Sequence, residues 1–298
     1  MKVFLTGVTG FVGQHMLQRL LSQGHSVRGL VRPGTRGALF SSSTHPDWRE
    51  NFSYSPGDVV NGTGLDRGVE GCEAVIHLVG IIVEKGKNTF AAVHHVGTRN
   101  VVDAAKRAGI KRFVHMSALG VGAGVAAYQT SKWKGEQEVR NSGIPYCILR
   151  PSLIFGPGDG FVTQMMDIMR KGPLLRLVPG DGQSKYRPVF IGDVTACFAS
   201  ALNAGEATNQ TIELGGADEL SLNEVLEEIA RCAGVRKRAL HIPMPLMFLG
   251  AALAQSLLPN PPVTVDQLRM LREGSTCDLG AMKRIFKIEP RGFAGCGR

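Results

Sequence analysis

The chain begins with the apolar run Lys2-Val3-Phe4-Leu5-Thr6, which leads directly into Gly7-Val8-Thr9-Gly10-Phe11-Val12-Gly13. The first run has the composition of a buried strand, and the glycines of the second precede an amphipathic helix predicted from about Phe11 to Ser22. The first glycine allows a tight turn, the second admits a pyrophosphate close to the backbone, and the third lets the helix pack against the sheet. The helix N-terminus then faces the phosphates with unpaired N–H groups and its positive dipole end. This arrangement predicts a dinucleotide site that includes Gly7, Thr9, Gly10, Phe11, Val12 and Gly13.

Strand-like and helix-like segments alternate along the first half of the chain, which is typical of a parallel sheet covered on both faces. Further strands are predicted at His25–Val31, Phe52–Ser55, Ala74–Val79, Arg112–Met116 and Tyr146–Arg150, and helices at Leu65–Val69, Thr89–Ala108 and Tyr128–Asn141. Beyond Pro151 the pattern loosens, with a helix predicted at Phe161–Lys171. We therefore predict an α/β fold with a Rossmann-like doubly wound parallel sheet in residues 1–155. Residues 156–298 are predicted to form a smaller C-terminal substrate lobe, with Pro188–Leu202 returning to the first domain.

Composition limits the classes of partner and compartment. The chain has 298 residues and a net charge of +9, but its basic residues form no long run. The sequence also has no zinc-finger spacing and no helix-turn-helix pattern. Nucleic acid is therefore not an expected partner, whereas an anionic cofactor is. The six cysteines include no Cys-x-x-Cys pair, and we expect buried thiols in a reducing compartment rather than a disulfide framework or metal site. The chain opens in a core strand, which predicts a cytoplasmic protein without a signal peptide.

The end of the second strand bears on the choice of nicotinamide cofactor. An NAD site typically has an acidic residue there, which accepts a hydrogen bond from the ribose 2′-OH. This strand instead ends Gly29-Leu30-Val31-Arg32. The charge and planar fork of the Arg32 guanidinium suit a 2′-phosphate, so the sequence favours NADP(H), with help from Arg28 or Arg36. NAD(H) is the alternative, with Arg32 then a solvated loop residue.

Tyr128 and Lys132 are four residues apart in a predicted helix, so their side chains share one face. A free tyrosine has a pKa of about 10, too high for ready proton exchange at neutral pH. The Lys132 ammonium and the positive charge of an oxidised nicotinamide would lower the pKa of Tyr128 and make its phenol a general acid or base.

With these motifs the chain resembles the short-chain dehydrogenase/reductase superfamily, in its extended, epimerase/dehydratase branch. The resemblance covers nearly the whole chain and extends to atypical members, including the dehydrogenase-like accessory subunit of respiratory complex I and its bacterial relatives. It implies an NAD(P)-dependent oxidoreductase or epimerase/dehydratase in which Lys132 also holds the cofactor ribose. It also implies cofactor contacts at Asp58, Val59, Leu78, Val79, Gly80, Pro151 and Ser152.

One position departs from the family pattern. The family's catalytic Ser or Thr follows the fifth strand, where this chain reads His115-Met116-Ser117-Ala118. Alignment places Ala118 at the catalytic position and Ser117 one residue early. Either Ser117 supplies the orienting hydroxyl, or the substrate is positioned differently, or the protein binds cofactor without rapid turnover.

Two adjacent histidines are candidates for a lesser role. His95 falls where family members often carry Asn, which suggests a supporting position near the site. On a helix, His94 and His95 point about 100° apart and make a poor pair of metal ligands. We expect no metal site.

The apolar segment Leu246–Leu258 carries no charge, but a spanning helix needs about 20 residues. We expect a buried or pocket-lining helix, with docking on a membrane face as the alternative, since the segment 269–298 is rich in basic residues.

Three functions stay open at this point. The first is an NADP(H)-dependent oxidoreductase acting on a small-molecule substrate, and the second is an NAD-dependent nucleotide-sugar epimerase or dehydratase. The third is a non-catalytic NAD(P)-binding accessory or assembly factor, peripheral on the inner membrane face or associated with a quinone. The resemblance is also compatible with a homodimer.

Overall fold

The computed structural model describes residues 1–34, 48–122, 126–172, 175–258 and 263–297. Its centre is a seven-stranded, fully parallel sheet. Six of its strands come from the first half of the chain: β1 (Lys2–Thr6), β2 (Ser26–Val31), β3 (Phe52–Pro56), β4 (Ala74–His77), β5 (Arg112–Met116) and β6 (Tyr146–Pro151). Four short or peripheral strands follow, β7 (Ile154–Phe155), β8 (Leu175–Pro179), β9 (Lys185–Tyr186) and β10 (Val189–Phe190), and then β11 (Gln210–Leu214), β12 (Leu220–Ser221) and β13 (Arg238–Ile242). In the sheet the order is β11-β6-β5-β4-β1-β2-β3, so β11 forms one edge.

The helices are α1 (Phe11–Ser22), α2 (Trp48–Asn51), α3 (Leu65–Val69), α4 (Gly97–Arg107), α5 (Ala127–Arg140), α6 (Gly160–Lys171), α7 (Ile191–Ala201), α8 (Leu222–Cys232), α9 (Met244–Leu257), α10 (Val265–Glu273) and α11 (Gly280–Phe286). A π-helical turn, Ala91–Val96, leads into α4, and 3₁₀ turns occur at Gly205–Ala207 and Ala294–Gly297. The predicted α/β, Rossmann-like fold class is confirmed.

Side chains of β1 alternate between two hydrophobic cores, as the period of a strand requires. Val3 and Leu5 pack with α1, α7 and α11 on one face, while Phe4 packs with α3, α4 and α5 on the other. The sheet is therefore buried on both faces, which explains why its strands read as nearly continuous apolar runs.

The glycine turn after β1 has a geometry that other residues would disrupt. Gly7 has a φ of +77°, in the left-handed region. A Cβ on Gly13 would lie only 2.0 Å from the Gly7 carbonyl oxygen, so α1 approaches the turn too closely for a side chain. The two glycines thus fix how α1 leaves the sheet.

A smaller third core lies beyond the main sheet. It is formed by β8, α6, α8 and the segment around Phe293, with Phe155, Val178 and Ile229 among its buried side chains. Between β10 and β12 the chain returns to the main sheet, because α7 packs against α1 and β11 pairs with β6.

One expectation about the cysteines is wrong. Cys232 at the end of α8 and Cys296 in the last 3₁₀ turn form a disulfide across 64 residues of sequence. The packing of Phe293 into the third core brings these two residues together, a proximity that their spacing in the sequence does not reveal. Cys72, Cys147 and Cys197 are buried free thiols.

Candidate functional site

A cleft lies at the carboxyl ends of β1, β2 and β4, where open parallel sheets bind their ligands. Of the predicted cofactor residues it is lined by Gly7, Thr9, Gly10, Arg32, Asp58, Val59, Leu78, Val79 and Gly80. Sequence reasoning missed Leu30, Gly57, Val60, Ile81, Asn88 and Val93, which complete the lining. The remaining predicted residues, Phe11, Val12, Gly13, Lys132, Pro151 and Ser152, are outside this lining.

The start of α1 fits a pyrophosphate. Its N-cap is Gly10, which has no side chain to cap the helix, and no acidic residue lies in the first turn. The first N–H groups of α1 are therefore not satisfied by a side-chain cap, and no carboxylate repels an anion there.

The two arginines of β2 differ in their surroundings. Arg32 is exposed at the edge of the cleft. Arg28 instead donates from Nη1 to the backbone carbonyls of Arg67, Gly68 and Glu70, at 3.0, 3.3 and 2.8 Å. The prediction that Arg28 assists at the cofactor is therefore wrong, because its guanidinium is bound at the end of α3. Arg36 lies outside the described residues.

Asp58 has a defined role in the turn after β3. Its Oδ1 accepts a hydrogen bond from Val60 N–H at 2.8 Å, which shapes the turn. Since Asp58 and Val60 both line the cleft, the same turn carries the carboxylate to the cleft wall.

Tyr128 stands in the first turn of α5, with its ring against two other rings. Phe90 and His94 contact it in edge-on arrangements, with centroid distances of 5.7 and 5.3 Å. Burial raises the pKa of Tyr128 to about 12. The predicted lowering by a neighbouring ammonium is not found among the chain's own groups, because desolvation of the phenol dominates.

Lys132 is buried one turn further along α5. Its Nζ donates to the Met116 carbonyl oxygen at 3.0 Å, at the end of β5. The same Nζ is 3.1 Å from the point where a Cβ on Gly80 would stand, so the ammonium lies directly behind the cleft wall. Burial lowers the pKa of Lys132 to about 8, although the Glu136 carboxylate favours the charged form.

Ser117 is buried and is not part of the cleft lining. Its buried hydroxyl has no hydrogen bond of good geometry among the described residues. It nevertheless lies near enough to the Glu136 carboxylate to favour the charged form of that group. Burial alone would raise the pKa of Glu136, but hydrogen bonds from Arg150, at 2.8 Å to each oxygen, help to hold that pKa below its usual range. Ala118, which we predict from the sequence to occupy the family's catalytic position, offers no hydroxyl.

His94, rather than His95, is directed toward the site. Its Nε2 lies 3.0 Å from Ile81 N, and its Nδ1 lies 2.9 Å from Ser131 Oγ. Burial lowers its pKa to about 2, so the ring is neutral. His95 instead pairs with Glu138 at 2.8 Å, at a partly exposed position. The sequence indicates nothing about His94 beyond its position beside His95 in the predicted helix Thr89–Ala108.

Two more buried histidines stack behind the sheet ends. His77 contacts Thr6 Oγ1 at 2.6 Å and Thr98 Oγ1 at 3.1 Å, and burial lowers its pKa to about 3. His115 stacks on His77 with ring centroids 5.3 Å apart, and burial holds its pKa well below the usual value. Neither nitrogen of His115 has a hydrogen-bond partner in the part of the chain that the structure describes.

The sequence and the fold match known proteins over most of the chain. A sequence model of the NAD dependent epimerase/dehydratase family matches residues 3–215. Ceramide reductase of Caulobacter vibrioides is 29% identical over 87% of this chain and 80% of its own length. The mitochondrial NADH dehydrogenase (ubiquinone) 1 alpha subcomplex subunit 9 of Arabidopsis thaliana is 26% identical over 93% of this chain and 71% of its own. UDP-glucuronic acid 4-epimerase from Bacillus cereus, solved with UDP-glucuronic acid and NAD, shares the fold with a TM-score of 0.72, 20% identity and coverage of 97% and 94%.

Proposed function

The chain belongs to the NAD dependent epimerase/dehydratase family and is an NAD(P)-dependent oxidoreductase or epimerase/dehydratase, and we propose that it is an NADP(H)-dependent oxidoreductase. The observation that carries this proposal is the position of the Tyr128 and Lys132 helix beside the cleft. Lys132 Nζ stands directly behind Gly80 in the cleft wall, and Tyr128 lies one helical turn before it. An acid–base group and a cation thus lie where a dinucleotide cleft ends.

We assign the parts of the cofactor to different residues of the cleft by their charge and by the space beside them. The turn from Gly7 to Gly13 receives the pyrophosphate at the start of α1, and Arg32 pairs with a 2′-phosphate. Asp58 and Val59 line the wall of the same cleft. Arg32 supports NADP(H) over NAD(H) because no acidic residue ends β2.

Bound NADP(H) supplies the hydride, and the protein supplies the proton and the alignment. With its pKa raised to about 12, the Tyr128 phenol is protonated at neutral pH. Because a raised pKa also makes the phenol a weaker acid than free tyrosine, donation of its proton to a carbonyl oxygen during reduction depends on positive charge nearby, which we assign to Lys132. Ser117 lies near Glu136 and outside the cleft lining, so we expect a group other than Ser117 to orient the substrate carbonyl.

The experiment follows NADPH oxidation with a panel of carbonyl compounds that includes long-chain ketones, a short-chain quinone and a UDP-sugar. The long-chain ketones are included because the name of one relative refers to ceramide. We expect Tyr128→Phe to lower turnover at least about 100-fold on whichever compound is reduced, as removal of an acid–base group should. The dissociation constant of NADPH should change little.

Tyr146→Phe is the matched control, since Tyr146 is a second partly buried tyrosine on β6 and should retain full turnover. Full activity in Tyr128→Phe would overturn the proposed mechanism. Purification with NAD that resists dialysis, together with turnover of the UDP-sugar, would favour the epimerase function instead. Binding of NADPH without turnover of any compound would favour the accessory function, which the relative among NADH dehydrogenase subunits supports.

We also propose that the protein is cytoplasmic and forms a homodimer. Among the described residues no helix has the length and apolar composition needed to cross a bilayer. The residues of the cofactor cleft do not indicate whether the protein associates with a membrane surface.

A further inference from the structure

An uncharged part of the sequence forms an exposed apolar surface. Between Arg238 and Asp266 there is no Asp, Glu, Lys or Arg, and α9 occupies the middle of this stretch. Four leucines of α9 are 54 to 76% exposed: Leu246, Leu249, Leu253 and Leu257. At 100° per residue their spacing places them within an arc of about 80° on one side of the helix.

The opposite side of α9 is the one that packs against the protein. Ala251 is buried there, and Phe248 lies under the guanidinium of Arg272 on α10, 6.0 Å from ring centroid to Cζ. The orientation of α9 is therefore fixed by its inner side, and the leucines face outward.

A second group of leucines lies on the two-stranded sheet that precedes α9. Strands β8 and β13 pair in parallel, with Leu175 opposite Arg238 and Leu177 opposite Leu240, so these four side chains share one face. The three leucines among these four side chains are 42 to 50% exposed. Pro243 alone separates β13 from α9. We refer to these seven exposed leucines of β8, β13 and α9 together as the leucine face.

The strands and the helix that carry the leucine face contain no acidic residue, and the nearest one along the chain from β8, Asp181, lies by Pro243 at the end away from the strand starts. The segments 168–180 and 229–265, which contain β8, β13 and α9, have no acidic residue. Basic residues lie at the start of both strands. The exposed ones are Arg170, Lys171, Arg236 and Arg238. Lys237 Nζ donates to the Gly172 carbonyl oxygen at 3.0 Å, which holds the two strand entrances together. The basic end and the leucine face therefore belong to one structural unit.

We infer that the leucine face and its basic end dock on the surface of an anionic lipid bilayer. Leucines enter the boundary between headgroups and acyl chains, and arginines bind lipid phosphates, as in other interfacial helices. A second copy of the chain fits less well, because it carries the same net charge of +9 and offers no excess of negative charge to the basic end. The inference does not depend on the cofactor or on any reaction.

The test is sedimentation of the full-length protein with phosphatidylcholine vesicles, with and without phosphatidylglycerol. We expect binding that requires phosphatidylglycerol and weakens in 0.5 M salt. The double variant Leu249→Glu/Leu253→Glu should bind at least tenfold more weakly, because it places charge in the apolar boundary. Arg236→Ala/Arg238→Ala should lose about 30-fold, at about fivefold for each basic residue.

Trp133→Glu is the control for an added glutamate, since it places one negative charge at an exposed apolar position on α5 and should bind as the wild type does. Thermal unfolding of every variant establishes that it is folded. Equal binding to neutral vesicles, full binding by the leucine double variant, or no vesicle binding by the wild type would each overturn the inference. A wild-type dimer that the leucine substitutions convert to monomer, without vesicle binding, would identify the face as an interface between copies.

Discussion

His94 Nδ1 lies 2.9 Å from Ser131 Oγ, and this contact joins the π-helical turn before α4 to the helix that carries Tyr128. The protonation of the ring follows from its neighbours: Nε2 accepts from Ile81 N–H, so Nδ1 carries the proton and donates to Ser131. The Ser131 hydroxyl then donates to the Tyr128 carbonyl oxygen at 2.7 Å. One neutral ring thus positions both the cleft wall and the start of α5.

Replacing His94 should weaken both stability and cofactor binding. In His94→Ala the partly buried Ile81 N–H loses its acceptor and the buried Ser131 hydroxyl loses its donor, which costs about 1–3 kcal/mol of unfolding free energy. The Gly80–Ile81 wall also loses its anchor, and we expect the NADPH dissociation constant to rise about tenfold. Urea unfolding and a fluorescence titration with NADPH measure the two effects.

His95→Ala is the matched control because His95 is the adjacent residue and its pair with Glu138 is partly exposed. Such pairs contribute about 0–1 kcal/mol, so the variant should resemble the wild type in both measurements. Equal losses in the two histidine variants would contradict a positioning role for His94.

Removal of the Arg32 guanidinium should remove a preference for NADPH. A hydrogen-bonded contact to a charged phosphate contributes about 1.5–3 kcal/mol, and Arg32→Ala should weaken NADPH binding by that amount while leaving NADH binding nearly unchanged. Isothermal titration of both cofactors on both proteins gives the comparison.

Arg28→Ala controls for the loss of an arginine from β2. Because Arg28 binds backbone carbonyls at the end of α3, this variant should be less stable but should keep the wild-type ratio of NADPH to NADH affinity. A wild type that prefers NADH would contradict the proposed cofactor.

Acid should unfold the protein through its buried histidines. Folded His77 and His94 have pKa values lowered to about 3 and about 2 by burial, from 6.5. Below pH 6.5 the unfolded chain binds protons that the folded protein does not, so the free energy of unfolding falls as the pH is lowered toward 3. The slope is about 1.4 kcal/mol per pH unit for each histidine. Urea midpoints between pH 7.5 and 4.5 measure it.

His115→Phe isolates one part of this effect. His115 is also buried with a lowered pKa, and neither ring nitrogen has a partner in the described segments. Phenylalanine keeps a ring against His77 and removes both the proton site and the cost of a buried polar group, about 1–3 kcal/mol. We expect a more stable protein with a shallower slope in acid. An unchanged slope would show that His115 does not titrate on unfolding.

The sequence predicted those features that depend on local pattern. The run before Gly7 has the composition of a buried strand, and the structure has β1 there. The four-residue spacing of Tyr128 and Lys132 required only that the segment be helical. Periodicity and turn chemistry are short-range properties, and a single sequence contains them.

Features that depend on distant packing could not be predicted in this way. Strand β11 reads Gln-Thr-Ile-Glu-Leu, a short run that becomes a strand because β6 offers it a pairing edge. The partner of Cys296 and the orientation of Ser117 toward Glu136 depend on how separate elements pack. The raised pKa of Tyr128 has the same origin, since the degree of burial is a property of the whole fold.

The order of strands also has a consequence for synthesis on the ribosome. The sheet is completed by residues 210–214, long after β6 has emerged, so a growing chain presents β6 as an unpaired edge while the intervening segment is translated. Unpaired edges invite pairing with other nascent chains. A fragment that stops at Phe155 would keep that edge permanently, and an expression boundary for the nucleotide-binding half therefore belongs after Leu214.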